Sequence, residues 1–313
     1  MKKILIHLRH LFSVFISIIV SVWGRLLILL GFIDRFVLVR MDGGICSQMH
    51  FYMIGQIFKQ QGYSVKYELN WFDDNGLDLT GKFCRNFDLL KAFPYLDFQK
   101  ANRLEQFFYK AFKYSNNYFD KTNSLRFSKL SPPVYLTGYF RDPIGLYCDM
   151  RSVFSVDYSI LNKSNLALLE IIQHKESPVA IHVRRGDLSV FNSAYGAPVD
   201  ANYFNHSIAY IESKVGRCYY YIFSDEPEWV RDNLINVLNV TDNYYIVDIN
   251  GSEKGYLDLF LIAACKHQIT SKGSLGKYGA FICTNPQNII TVYDDEYERE
   301  TWDSQHSNIV FVK

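Results

Sequence analysis

Val179-Ala180-Ile181-His182-Val183-Arg184-Arg185-Gly186-Asp187 is the stretch that decides the fold. Its first five residues form a short, almost wholly apolar run, the pattern of a strand covered on both faces, and Gly186 marks a turn. Such strands belong to parallel sheets flanked by helices, where ligands sit outside the carboxyl ends of the strands. Two guanidiniums beside a glycine turn can grip a diphosphate there with forked hydrogen bonds. Asp187 can hold one of them or act on a substrate hydroxyl. A solvated basic turn, or a chance Arg-Gly-Asp triplet, is the plainer reading, and the stretch alone does not choose between them.

On either side the chain alternates strand and helix. Downstream, Tyr219 to Phe223, Tyr244 to Val247 and Ile289 to Tyr293 read as further strands. Helices are expected at Leu161 to His174, Asn202 to Lys214, Glu226 to Leu238 and Tyr256 to Lys266, the third opened by Ser224, Asp225 and Pro227. Upstream, Phe36 to Val39 is a strand ending in the turn Arg40-Met41-Asp42-Gly43-Gly44. Ile45, Met49, Tyr52, Met53 and Ile57 recur at helical spacing, Gly62 supplies a stop, and Tyr63 to Leu69 alternates like a strand. That is a βαβ unit. Residues 70 to 135 are aromatic-rich and irregular, with helical stretches near Phe87 to Phe93 and Leu104 to Tyr114, and suit insertions facing an acceptor. Val134 to Phe140, after Ser131-Pro132-Pro133, reads as another strand with its loop. The expected architecture is α/β, with domains over 34–160 and 161–313.

With 49% hydrophobic and 21% charged residues among 313, the chain is too apolar to be disordered. Its 33 Lys and Arg against 32 Asp and Glu give a net charge of +1, which excludes a global field for nucleic acid or an anionic membrane. Any anionic ligand must be met by a local cluster. Six cysteines, at 46, 84, 148, 218, 265 and 283, show no metal or disulfide spacing and read mostly as buried thiols in a reducing compartment. Four Asn-x-Ser/Thr triplets, at Asn162, Asn205, Asn239 and Asn250, are near the number chance produces in so Asn-rich a chain.

Residues 1–33 break the average. Leu11 to Trp23 carries no charge, and Leu26 to Ile33 resumes the apolar run after Arg25. About 20 mainly apolar residues suffice to cross a bilayer, yet a charge near mid-span costs a few kcal/mol unless it snorkels. A signal anchor, a cleaved signal peptide, a helix lying on a membrane face and an ordinary buried helix all compete, and membrane association through 11–33 is the expectation carried forward.

Three more constellations carry chemistry. Paired glycines at Gly43-Gly44, between strand and helix, let a backbone approach a ligand closely, although such pairs are common in βα loops. Phe223-Ser224-Asp225-Glu226-Pro227-Glu228-Trp229 again follows a strand. Ser, Asp and Pro are what a helix start requires, and a carboxylate there could equally receive the N1-H and N2-H₂ donors of guanine. Asp258 to His267 reads as a helix, delivering Ser271, Lys272 and Ser274 near a helix N-terminus as a phosphate cradle.

Taken in order, Gly-Gly…Gln-Met, His-x-Arg-Arg-x-Asp, Ser-Asp-x-x-x-Trp and Asp-Leu-x-Leu…Cys-Lys-His resemble the family 11 glycosyltransferases, the α-1,2-fucosyltransferases, from about Val37 to Ile282. The resemblance implies a GT-B fold, two Rossmann-like domains facing a cleft, the C-terminal one binding GDP-fucose. It implies inverting transfer of L-fucose to a galactose 2-hydroxyl without a required divalent metal. Asp73-Asp74 and Asp294-Asp295 lack the middle residue of an Asp-x-Asp motif. Carried over, Arg184 would bind the pyrophosphate, with Arg185 and Lys272 adding charge. His182 would line the nucleotide pocket, Asp225 would face guanine, Ser274 would sit by the phosphates, Asp187 would order the arginines, and Gly43 and Gly44 would form the cleft wall. The acceptor would be a galactose-terminated oligosaccharide or lipid-linked glycan. The N-terminal segment places the chain, as an expectation, on the cytoplasmic face of a bacterial inner membrane, or in a Golgi-type lumen reached through a signal anchor. Where the family carries Gly-Gly-Leu-Gly-Asn-Gln-Met-Phe this chain has Gly43 to His50, and where it carries Asn-Ser-Ser-Phe-Ser-Trp-Trp-Gly this chain has Lys272 to Gly279. The catalytic base stays open among Asp187, Asp42 and Glu68. A transferase of another nucleotide sugar and a non-catalytic, membrane-tethered carbohydrate-binding protein are the competing readings.

Overall fold

The computed structural model describes residues 19–20, 22–74, 76–77, 81, 84–116, 130–138, 140, 150–190, 196–302 and 308–313. Two compact units divide the chain. Met1–Asp42, Phe51–Asp73 and Asp97–Asp142 form the first, and Gly43–His50, Asp74–Leu96 and Pro143–Lys313 the second.

The first unit holds four strands, β1 (Val37–Arg40), β2 (Val65–Glu68), β3 (Lys113–Asn116) and β4 (Val134–Gly138), in a wholly parallel sheet of order β2-β1-β4-β3. The helix Ile45–Gln60 connects β1 to β2, as the spacing predicts. β3 lies where the sequence suggested the end of a helix. Helical turns do run from Arg103 to Phe112, opened by an Asn102 and Glu105 capping box, but the chain then extends along β4. Beneath the sheet, the Tyr109 ring stacks on Phe36 at 4.0 Å, while its hydroxyl accepts from Phe36 N and donates to Asp34 O, each at 2.8 Å.

The second unit holds β5 (Pro178–Val183), β6 (Tyr219–Ser224), β7 (Tyr244–Val247), β8 (His267–Thr270), β9 (Ile290–Tyr293) and β10 (Ile309–Val312). They form a second parallel sheet of order β10-β9-β8-β5-β6-β7. Counted from β5 this is 6-5-4-1-2-3, a doubly wound order whose switch point lies between β5 and β8. Val179, Ile181 and Val183 point into one core with Tyr220, Ile222, Ile269, Tyr203, Phe204 and Ile208. Burying such side chains contributes roughly 1.5–3 kcal/mol each.

β8 is a correction to the sequence reading, which ran the preceding helix into a polar loop; the helix ends at Ala264. Three of its four residues are polar, yet all are buried, because each polar side chain finds a partner in the chain beside it. Gln268 Nε2 donates to Cys265 O at 2.8 Å, Thr270 Oγ1 donates to Thr291 O at 2.9 Å, and His267 Nδ1 accepts from Ile289 N at 3.0 Å.

The discontinuous division differs from the single boundary expected near residue 160, and packing within the second unit explains it. Gln48 Nε2 donates to Gly43 O at 3.0 Å and Asn86 O at 2.8 Å, while its Oε1 accepts from Asp88 N and Leu89 N, both at 2.9 Å. Phe93 then packs on Phe154 at 4.9 Å and Phe260 at 5.5 Å.

Residues 1–18 and 21, with much of the expected membrane segment, lie outside the described residues. Among the described residues no helix is long and apolar enough to cross a membrane. Residues 22–29 are helical. Ile28 and Ile33 are buried with Phe36, Leu38, Ala101, Tyr109 and Tyr135, so this end of the 1–33 segment belongs to the core of the first unit.

Candidate functional site

The loop after β5 and the loop after β8 emerge side by side at the switch point of the second unit's sheet. Arg184 N donates to Ser271 Oγ at 2.8 Å, pinning one loop to the other. The Arg184 guanidinium is gripped by two carboxylates, Nη2 on Asp187 Oδ1 at 2.8 Å and Nη1 on Asp225 Oδ2 at 2.7 Å. Those contacts leave further N–H groups on the five-donor fork for a ligand. Asp225 also accepts from Arg185 N at 3.0 Å. It can do so because Ser224 Oγ accepts from Glu226 N at 3.0 Å, a local bond that leaves Asp225 outside the helix start.

His182 is 4% exposed, and burial together with the Arg184 charge lowers its pKa to about 3. The ring is neutral at physiological pH and shapes the site without carrying charge. Ser271 Oγ lies 3.3 Å from its Nδ1, and on another side the bare Cα of Gly276 packs against it. A Cβ at Gly276 would stand 2.8 Å from His182 Cβ and 2.9 Å from its Nδ1. Gly276→Ala is therefore expected to push the ring toward the Arg184 loop and destabilise the fold by about 1–3 kcal/mol. A lower melting temperature in a thermal unfolding scan is the outcome that checks this.

Ser274 opens the helix Ser274–Ile282 and hydrogen-bonds the Cys46 thiol. Burial, only partly offset by Ser274 and Arg184, raises Cys46 to about 12, so it remains a thiol beside the arginine. Cys46 brings the Gly43-Gly44 turn with it. Gly43 has φ +73°, a conformation that favours glycine, and its carbonyl is held by Gln48.

Other expected donor-site cations are engaged elsewhere. Arg185 Nε donates to Glu226 Oε2 at 3.1 Å, and its guanidinium lies 3.5 Å from the Trp229 ring centroid. Lys272 pairs with Asp295 at 3.1 Å and lies 4.9 Å from the Tyr293 ring centroid. Lys277 donates to Thr301 O. The structure thus gathers His182, Arg184, Asp187, Asp225 and Ser274 around one point, with Arg185 and Lys272 paired at its margins.

Sequence reasoning assigned no role to Cys46, Glu226 or Gly276, and gave Ser271 a place in the phosphate cradle but not its bonds to Arg184 and His182. Only their approach to residues far away in the chain reveals them. Asp258 is half-buried at the start of the helix Gly255–Ala264 and accepts from Asn250 Nδ2 at 2.7 Å. Asn250 and Asn165 exchange reciprocal amide bonds of 2.9 Å. Burial, partly offset by Asn250, raises the Asp258 carboxyl to about 7. Of the base candidates in the first unit, Glu68 accepts from Tyr135 Oη at 3.0 Å and Asn70 N at 3.1 Å, and Asp42 lies 4.0 Å from Arg40. Among the described residues no group of three or more His, Cys, Asp or Glu could hold a metal ion.

A family model described as Glycosyl transferase family 11 matches residues 87–310. The chain is 27% identical over 162 residues to the O-antigen biosynthesis glycosyltransferase WbnK of Escherichia coli, covering 50% of this chain and 52% of that one. It is 24% identical over 153 residues to an alpha-1,2-colitosyltransferase of Escherichia coli, covering 46% and 49%. The match spans about half the length of both relatives. Among solved structures, a NodZ alpha-1,6-fucosyltransferase co-crystallised with GDP aligns at a TM-score of 0.48 and 14% identity, over 84% of this chain and 96% of that one.

Proposed function

The chain belongs to glycosyl transferase family 11, and on that premise we propose that it transfers L-fucose, with inversion, from GDP-fucose to the 2-hydroxyl of a terminal galactose on a surface or lipid-linked glycan. The observation that supports this reading is Arg184, held by Asp187 and Asp225 at the switch point with N–H groups to spare. A forked cation fixed before the ligand arrives suits a diphosphate leaving group, whose charge grows as the glycosidic bond breaks. Ser274 and the adjacent helix N-terminus face the phosphates, and neutral His182 lines the nucleotide pocket. Asp225 positions the arginine loop and retains lone pairs for a guanine edge. No metal is assigned a part.

Similarity to a protein named for colitose transfer favours a second reading, the same displacement with another nucleotide sugar. The two separate on one experiment. The purified chain is incubated with radiolabelled GDP-fucose or other nucleotide sugars over a panel of β-galactosides, with and without EDTA. Fucosyl transfer that survives EDTA, and melting-temperature protection by GDP above other nucleotides, is the expected result. Transfer from a different donor would replace the first reading with the second; glycan binding without transfer, unaffected by loss of Arg184, would replace both.

A further inference from the structure

The described N-terminal helix has two unlike sides. Gly24, Leu27 and Ile28 face the protein. Ile28 is buried in the first unit's core with Leu27 packed against it, and a Cβ at Gly24 would stand 3.1 Å from Phe108 O. Ile19, Val22, Trp23, Leu26, Leu29 and Leu30 recur at i, i+3, i+4 and i+7 on the opposite side, and all are exposed. Leu29 is 83% exposed and Phe32, just beyond the helix, 76%. The helix Arg103–Tyr109, on which Gly24 packs through Phe108, also exposes Leu104 and Phe107. Arg25 lies on the flank between the two sides, its guanidinium 5.9 Å from the Phe112 ring centroid.

A contiguous apolar surface of this kind marks an interaction site. We infer that this face docks the protein on an anionic phospholipid bilayer, with the helix lying in the plane of the interface. Two features name lipid as the occupant. The sequence before the helix continues the apolar run through Leu11, Phe12, Val14, Phe15, Ile16 and Ile18. The charges of residues 1–33 are all positive, at Lys2, Lys3, Arg9 and Arg25, and the first acid is Asp34. A basic, apolar segment is complementary to anionic headgroups over acyl chains, each basic residue near the surface adding about 1 kcal/mol of attraction. The in-plane pose follows from packing, because a helix whose other side is buried on the protein has only half its circumference for lipid.

The test is flotation of the full chain with vesicles of phosphatidylcholine alone or of equal parts phosphatidylcholine and phosphatidylglycerol. The expected result is flotation with the anionic vesicles, weaker flotation with the neutral ones, and release by alkaline carbonate. Leu29→Glu with Phe32→Glu, at two highly exposed positions, should weaken binding about a hundredfold while leaving the melting temperature unchanged. Should that variant fold poorly, quenching of Trp23 fluorescence by brominated lipid in the otherwise unaltered chain reads the same contact. Absence of flotation, equal binding by the variant, or no quenching overturns the proposal. Resistance to carbonate would show a spanning segment instead, and a vesicle-independent dimer that the double substitution dissociates would show that a second copy covers the face.

Discussion

Arg184→Ala is expected to lower turnover about a hundredfold, on the order of 3 kcal/mol of barrier, while the melting temperature stays near that of the unaltered protein. On the proposed reading the loss falls on chemistry, because the guanidinium would stand where charge develops on the departing diphosphate. The fold tolerates the change because the backbone bond from Arg184 N to Ser271 Oγ needs no side chain. Single-turnover kinetics separate the two effects. Near-normal turnover would remove Arg184 from the mechanism and with it the main support for a diphosphate donor. Arg184→Lys is expected to recover little, since an ammonium cannot engage Asp187, Asp225 and a ligand in one planar fork.

Asp258 carries the largest expected pH-dependent gain in stability. Its carboxyl is raised from 3.8 to about 7, chiefly by burial, so between those values the unfolded chain ionises while the folded chain holds its proton. The contribution is therefore complete below about pH 4 and lost as pH rises through 7. A rise of that size sets a ceiling of ~4 kcal/mol, and solvent at a half-buried group reduces it to about 2 kcal/mol. Asp258→Asn, which keeps an acceptor for Asn250, should be more stable than the unaltered protein at pH 8 and nearly equal at pH 4. Denaturant titrations at the two pH values measure the difference, and parallel curves at both would refute the assignment. His182 and His267 act in the opposite sense. Burial lowers them to about 3 and about 4, so their contribution is present above the ordinary imidazole pKa and lost on acidification. Comparing variant with parent cancels them.

Much of this was legible in the residues. The run from Val179 to Val183 announced a buried strand, and the arginines after it lie at the switch point. Asp225 was ambiguous because Ser-Asp-x-Pro reads equally as a helix start; the structure gives the local bond to Ser224 and leaves Asp225 for the arginines. β8 escaped because hydrophobic periodicity cannot register a strand whose polar side chains are satisfied by the neighbouring backbone. Cys46 and Gly276 were invisible for a different reason. Their role is contact with Ser274 and His182, and pairing across so much sequence has no local signature. At the N-terminus the apolar composition was plain, but the burial of Ile28 and Ile33 in the first unit depends on Phe36 and Tyr109.

The strand order sets a schedule for folding. β5 can pair with β6, and β6 with β7, soon after synthesis, but the other edge of β5 stays unpaired until β8 is made, a long interval of chain growth. Ser271, which anchors Arg184, and Gly276, which backs His182, arrive only with and after that strand. A nascent chain shorter than this therefore carries the arginine loop unanchored, so the proposed donor site is assembled late, with the middle of the sheet.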